Sequence, residues 1–302
     1  MNEYKLSIVI VTMNRRKQVI EAINSCLKSK LPSKFEFIVI DNHSTDGTEA
    51  AINNFLSQHD NISYTYKYMD ENKGVGGGRN EGFNLSKGEY LYFLDDDAII
   101  SDESQRSFFI DTIEYMDKNS EVASVTTRIK DEMLKFDRNV EKSKLTIDNK
   151  NTIFKFLGGS HFLRKKCFEK PLYFDIKYGG EEYAPSIIAQ DRGFYHVYSA
   201  EVYIIHKPEI NKWISGSKDM ENVLIRGCAV EYATKSVLYP IVLKPIVFSA
   251  FIMRVWKHLR MYPHAYCKCR KLSKEIINAN KKERIKFSTV LKLYNIFGLT
   301  VM

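Results

Sequence analysis

The stretch Tyr90-Leu91-Tyr92-Phe93-Leu94-Asp95-Asp96-Asp97-Ala98 is an apolar run that stops abruptly in three carboxylates. Aromatic and aliphatic residues at successive positions suit a strand covered on both faces, as in a parallel α/β sheet, rather than one alternating between core and water. Ligands of such sheets sit at the carboxyl ends of the strands, which is where these acids fall. On an extended backbone neighbouring side chains point to opposite sides, so Asp95 and Asp97 are expected to share a face while Asp96 points away. Two carboxylates on one side repel unless a cation or proton lies between them, and oxygen ligands of this kind suit Mg2+ or Mn2+. Taken alone, three acids after a strand read equally well as a solvated turn, so the rest of the chain decides.

Upstream, Leu6 to Val11 reads as a first buried strand, followed by Thr12, Asn14 and Arg15 where it would end. Val19, Ile20, Ile23, Cys26 and Leu27 then recur at helical spacing over Arg16 to Ser29. A second buried strand, Phe35 to Ile40, ends at Asp41, and Ser44, Thr45 or Asp46 is placed to cap a helix running to about Ser57. Asp41 suits a turn or, functionally, a hydrogen-bond acceptor for a nucleobase. Ile62 to Met69 alternates as a third strand, and Glu71 to Gly82 supplies a glycine-rich loop with Lys73 and Arg79 beside it, running into a helix. Such a loop lets backbone amides and two cations approach a phosphate, although it fits neither the ATPase loop nor the dinucleotide fingerprint.

Downstream, Ser101 or Asp102 is placed to cap a helix through Met116, and Val122 to Ile129 makes a fifth strand. Lys130 to Asn151 is polar and weakly periodic, which predicts a mobile or substrate-covering loop. Strand character resumes from Phe154 to Phe168 around Gly158-Gly159, a pair that permits close backbone approach. Glu181 and Glu182 open a short helix through Gln190, as acids favour helix starts, and Tyr195 to Ile205 reads as a last strand pair ending at His206.

At 302 residues with 44% hydrophobic and 27% charged residues, the chain can bury a large core and is no disordered sequence. Five cysteines show no paired metal spacing, and an odd count argues against a disulfide framework, so they are read as reduced thiols. The start, Met1 to Lys5, leads directly into a strand without a signal-peptide pattern, which predicts a cytoplasmic protein.

These pieces, in this order, resemble family 2 of the inverting glycosyltransferases. The residues that carry the likeness are Ser7 to Arg15, Val39 to Gly47, Asn72 to Asn80, Leu94 to Asp97, Gly158-Gly159, Gly180 to Glu182 and His206, spread over about two thirds of the chain. The resemblance implies a GT-A fold, a Rossmann-like mixed sheet flanked by helices, over residues 1–215, with a basic helical C-terminal extension over 216–302. It implies that Thr12, Asn14, Arg15 and Asp41 hold the nucleobase end of a nucleotide-sugar donor, and that Lys73, Gly74 and Arg79 face its ribose and diphosphate. Asp95, with Asp96 beside it, is expected near the nucleotide. Asp97, with Asp95 and His206, would hold Mn2+ or Mg2+. Gly158 and Gly159 fall on the acceptor side. Glu182 stands where the family's Glu-Asp pair places its catalytic base, with Glu in place of Asp, which leaves Glu181 open as well. The activity implied is sugar transfer, from a UDP-sugar by default or a dTDP-deoxysugar otherwise, to a hydroxyl of a glycan or lipid-linked oligosaccharide in surface polysaccharide synthesis. A nucleotidyltransferase and a non-catalytic assembly partner are the rivals.

The tail carries the basic character. From Phe251 to Met302 twelve Lys and Arg stand against two acids, a net +10 that leaves −2 on the first 250 residues. Val237 to Trp256 has fifteen apolar residues in twenty, interrupted by Pro240, Lys244, Pro245 and Arg254. A membrane span, a buried helical hairpin and an interfacial segment are all open. The neighbouring cations favour peripheral contact with the anionic inner face of a membrane over nucleic acid, for which no motif is present. Oligomerisation stays open.

Overall fold

The computed structural model describes residues 3–59, 62–132, 136–137, 143–176, 179–208 and 217–302. The chain alternates strand and helix through β1 (Tyr4–Thr12), α1 (Arg16–Leu27), β2 (Phe35–Asp41), α2 (Thr48–Leu56), β3 (Ser63–Tyr68), α3 (Gly74–Leu85) and β4 (Gly88–Asp95). It continues with β5 (Ala98–Ile100), α4 (Ile110–Lys118), β6 (Val122–Asp131), β7 (Phe136–Asp137), β8 (Thr146–Ile147), β9 (Lys150–Ile153), β10 (Ser160–Arg164), α5 (Tyr183–Asp191) and β11 (Tyr195–His206). The main sheet has the order β3-β2-β1-β4-β10-β6-β11-β9-β8. β3, β2, β1 and β4 are parallel, β10 runs antiparallel between β4 and β6, and β11 returns parallel to β6. The carboxyl ends of β1, β2, β4, β6 and β11 therefore lie along one edge, with Thr12 paired to Asp41, Val11 to Asp95 and Asp131 to His206.

The unalternating apolar runs are explained by helices on both faces. Leu6, Ile8 and Ile10 of β1 and Tyr90, Tyr92 and Leu94 of β4 join one core with Val19, Ile23 and Cys26 of α1. Val9, Leu91 and Phe93, one residue out of step, join a second core with Phe83 of α3. Successive side chains on one strand thus reach opposite layers.

The glycines of α3 serve packing, and the expected loop is helical from Gly74 on. A Cβ on Gly78 would stand 2.5 Å from Val11 Cγ1, and one on Gly82 2.3 Å from Val9 Cγ1, so glycine lets the helix backbone lie against β1. The amides of Lys73 and Gly74 already donate to Asn42 Oδ1 (3.0 Å) and Asn72 Oδ1 (2.8 Å). Three other expectations are corrected. The helix expected from Ser101 begins at Ile110, because the preceding turns set Phe108 and Phe109 each 5.3 Å from the Tyr92 ring. Tyr195 to His206 is one strand with a register shift against β6 between Ser199 and Tyr203. Within Lys130 to Asn151, β6 extends to Asp131 and β8 and β9 form a hairpin, while 133–135 and 138–142 lie outside the described residues.

The tail folds as α6 (Ser217–Leu238), α7 (Lys244–Leu259), α8 (Ala265–Ala279) and α9 (Phe287–Phe297). The expected boundary near 215 falls on 209–216, outside the described residues. Val230, Ala233 and Val237 of α6 share a core with Phe154, Phe174, Ala184 and Ile187, so the extension is built onto the sheet domain. Among the described residues no helix is long and apolar enough to cross a membrane.

Candidate active site

The extended backbone of β4 ends at Asp95, and Asp96 and Asp97 stand in a turn before β5. Asp96 turns toward the end of β1, accepting Thr12 Oγ1 at 2.8 Å and Arg15 Nη1 at 2.7 Å. Asp97 accepts the same Arg15 nitrogen at 2.7 Å. Its other oxygen lies 3.3 Å from His206 Nε2. Asp95, Asp97 and His206 each present a donor atom, all within 4.8 Å of one another. Two carboxylates and an imidazole converging this way fit a divalent cation of the Mn2+ or Mg2+ type.

His206 is held from behind by a residue that the sequence reading missed. Asp131 Oδ2 lies 2.9 Å from His206 Nδ1, and both side chains are buried. A carboxylate there keeps a proton on Nδ1 and aims the Nε2 lone pair at the space shared by Asp95 and Asp97. The signal was available: Ile129-Lys-Asp131, like Leu94-Asp95, is an apolar run ending in an acid. Asp131→Asn is expected to weaken Mn2+ binding about 10- to 100-fold, read by calorimetric titration; unchanged affinity would show that the histidine needs no such support.

Arg79 joins this group to the glutamate pair. Its Nη2 donates to Asp95 Oδ1 and to the Gly158 carbonyl, both at 2.8 Å, while Nη1 lies 3.1 Å from Glu181 Oε1 and 3.5 Å from Glu182 Oε1. Glu182 immediately precedes α5 and leans over Gly158, where a Cβ would stand 2.2 Å from Glu182 Oε1. Gly159 accepts the Asp95 amide at 3.1 Å. The two glycines therefore make room for the glutamate and tie down the end of β4.

Burial pushes the Glu181 carboxyl up to about 7, and the Glu182 charge adds to that rise while Arg79 opposes it. Glu181 Oε2 is buried with no hydrogen-bond partner among the described residues, as suits a group that keeps a proton. Burial and the neighbouring Asp97 charge likewise raise Asp96 to about 6 against Arg15. For Glu181 the folded value lies above the unfolded one, so its contribution to stability is complete at low pH and is lost as pH rises through about 7. The melting temperature of Glu181→Gln should therefore gain on the wild type between about pH 5 and pH 8. Parallel curves across that range would refute the raised proton affinity.

The residues expected at the nucleobase end cluster one strand away. Asp41 is fully buried and accepts the Ser44 amide at 2.7 Å and the Tyr66 hydroxyl at 2.5 Å. Asn14, at positive φ, accepts the Thr45 amide at 2.7 Å and donates its own amide to Ser44 Oγ at 2.8 Å. Tyr66 had not been singled out, because an alternating strand does not show which tyrosine faces the site.

A parallel half-sheet continued by antiparallel and returning strands, with acids and a histidine along one edge, defines a GT-A-type fold. Solved structures agree: Staphylococcus aureus TarS 1-349 in complex with UDP-GlcNAc superposes with a TM-score of 0.62 at 17% identity, covering 95% of this chain and 83% of that one. The mannosyltransferase PcManGT of Pyrobaculum calidifontis, in complex with GDP-Man and Mn2+, gives 0.59 at 15% identity, covering 96% and 79%. The chain belongs to glycosyl transferase family 2, whose model matches residues 7–172. Among curated relatives, a poly(ribitol-phosphate) beta-glucosyltransferase of Bacillus spizizenii is 30% identical over 101 residues, 33% of this chain and 16% of that protein. A GalNAc(5)-diNAcBac-PP-undecaprenol beta-1,3-glucosyltransferase of Campylobacter jejuni is 34% identical over 95 residues, 31% of this chain and 29% of that protein. The similarity thus spans under a third of either relative's length.

Proposed function

We propose that this protein is a metal-dependent inverting glycosyltransferase that moves a sugar from a nucleotide-sugar donor to a hydroxyl of a glycan or lipid-linked oligosaccharide in bacterial surface polysaccharide synthesis. The observation that carries the reading is the single Arg79 side chain that joins Asp95, beside the cation-binding group, to Glu181 and Glu182. Leaving-group and nucleophile chemistry are thereby held next to each other. The relatives' surface-glycan names and the neighbours' UDP-GlcNAc and GDP-Man complexes support it. UDP is the default nucleotide, with a dTDP-deoxysugar as the variant reading.

Asp95, Asp97 and His206 would hold Mn2+ or Mg2+, which when bound offsets the charge growing on the departing diphosphate. Asp41 and Thr12 line the nucleobase end with Asn14, and Arg15 screens Asp96 and Asp97 from each other. Lys73 and Gly74, at the start of α3, and Arg79, held by Asp95, Glu181 and Glu182, would face the ribose and diphosphate of the donor. Glu182 is the base that takes the acceptor hydroxyl's proton on the face opposite the leaving group. Glu181, holding a proton near neutrality, lowers the charge repulsion on its neighbour. The basic tail would rest on the anionic inner face of the cell membrane, which places the protein in the cytoplasm at that surface.

A panel of nucleotide sugars, each with and without Mn2+, tested for protection against thermal unfolding identifies the donor. Protection by one nucleotide sugar only with Mn2+, and release of nucleoside diphosphate during turnover, are expected. Release of pyrophosphate would make the protein a nucleotidyltransferase.

A further inference from the structure

The tail contains a cavity whose charged lining is cationic. A cavity of about 530 Å³ opens between α6, the start of α7 and the segment that joins α8 to α9. Lys244, Lys281, Lys282 and Arg284 line it with Tyr232 and Phe248, and no acid does. Arg284 is fixed by donating from Nη1 to the carbonyls of Ser236 (3.0 Å) and Tyr239 at the end of α6. Lys244, Lys281 and Lys282 make no ion pair or side-chain hydrogen bond among the described residues. Lys244 is also the first residue of α7, whose first turn has no acid. A lysine at the positive end of a helix, with three more cations lining the same cavity, favours an anion among them.

Beside this cavity α7 is apolar on two faces. Val247, Phe251, Val255 and Leu259 are buried. Val242, just before the helix, and Ile246, Met253 and Trp256, at spacings of four, seven and three, are 71%, 49%, 65% and 64% exposed on another face. Arg260 lies 5.1 Å from the Trp256 ring centroid, a cation and aromatic pairing that suits a lipid headgroup boundary. No Asp or Glu occurs between Glu231 and Glu275, a stretch that carries nine Lys and Arg. At 16 residues α7 is about 24 Å long, short of the hydrocarbon thickness, so it is suited to lie along a surface rather than cross it.

We infer that this cavity holds the phosphate headgroup of a membrane lipid while the lipid's apolar chain lies against Ile246, Met253 and Trp256. The inference deepens the membrane contact proposed above by giving it a site and a ligand class. An apolar stripe alone would fit many partners. Here the helix that carries it also supplies Lys244, Pro245 and Phe248 to a cavity whose charged lining is all cationic and which is roomy enough for a phosphate headgroup, and that combination matches an amphiphile with an anionic head.

The test is flotation of the full chain with three probes: phosphatidylcholine vesicles, the same vesicles containing phosphatidic acid, and inorganic diphosphate in solution as competitor. Binding to the phosphatidic acid vesicles alone is expected. Lys244→Glu with Lys282→Glu should lower that affinity by about tenfold or more. Met253→Ser with Trp256→Ser, which keeps every charge, should lower it as well. Lys17→Glu with Lys28→Glu, in and just after α1, should change it little, and Lys244→Gln with Lys282→Gln provides a milder variant if charge reversal harms folding. Equal losses in the α1 variant would overturn the site in favour of diffuse attraction. Full competition by diphosphate with no effect of the Met253 and Trp256 changes would make it a soluble-phosphate site instead. Absence of binding to any vesicle would overturn it outright. Donor turnover measured in the same preparations separates the two readings: turnover without vesicle binding rejects only this site, and vesicle binding without turnover rejects only the transferase.

Discussion

Glu182→Gln is expected to lower sugar transfer by about 10²- to 10⁴-fold while the nucleotide donor still protects the protein from unfolding. The amide fills the same space over Gly158, but it cannot accept a proton from the incoming hydroxyl. Glu181→Gln is expected to cost less, since burial already favours the protonated form of that side chain. Single-turnover rates on the two variants decide between them. If Glu182→Gln transfers at the wild-type rate while Glu181→Gln does not, the base is Glu181, which the Glu-Glu sequence by itself left open.

The second large effect is on stability. Arg79 is buried and serves Asp95, Glu181 and Glu182 at once, and those charges hold it fully protonated despite its burial. Arg79→Ala removes the one side chain that joins them and strands buried carboxylates. A loss of about 3–5 kcal/mol is therefore expected from urea unfolding near neutral pH. Some of that loss should return at low pH, where the stranded acids take up protons. Arg79→Lys should recover only part, because an ammonium cannot span both sides of the pair as a planar fork does. An Arg79→Ala protein that unfolds at the wild-type urea concentration would remove Arg79 as the organising charge of the site.

How much of this was legible in the chain differs from residue to residue. Tyr90 to Asp97 could be read because a strand covered on both faces has to be apolar at every position, and its acids have to stand where it leaves the core. The pairing of Asp95 and Asp97 with His206 depends on β11 lying beside β6 and β5, contacts between residues about a hundred positions apart. The packing role of Gly78 and Gly82 is not legible in the sequence, because close helix packing and phosphate approach both demand a missing side chain and composition does not tell one from the other. Asp131 is harder to see, because the apolar pattern that marks the fifth strand stops at Ile129, two residues before the strand itself ends.

The sequence by itself determined the α/β character, the edge along which the polar residues gather, and the basic tail. Each of these is written in local order: runs, spacing and charge counts. Only the tertiary structure decided that Arg79 binds three acids, that Asp131 backs His206, and that four cations of the tail meet at one cavity beside a bare apolar face. Those facts are distances between residues far apart in the chain, and such distances are set by how strands pair and helices pack, which no local pattern encodes.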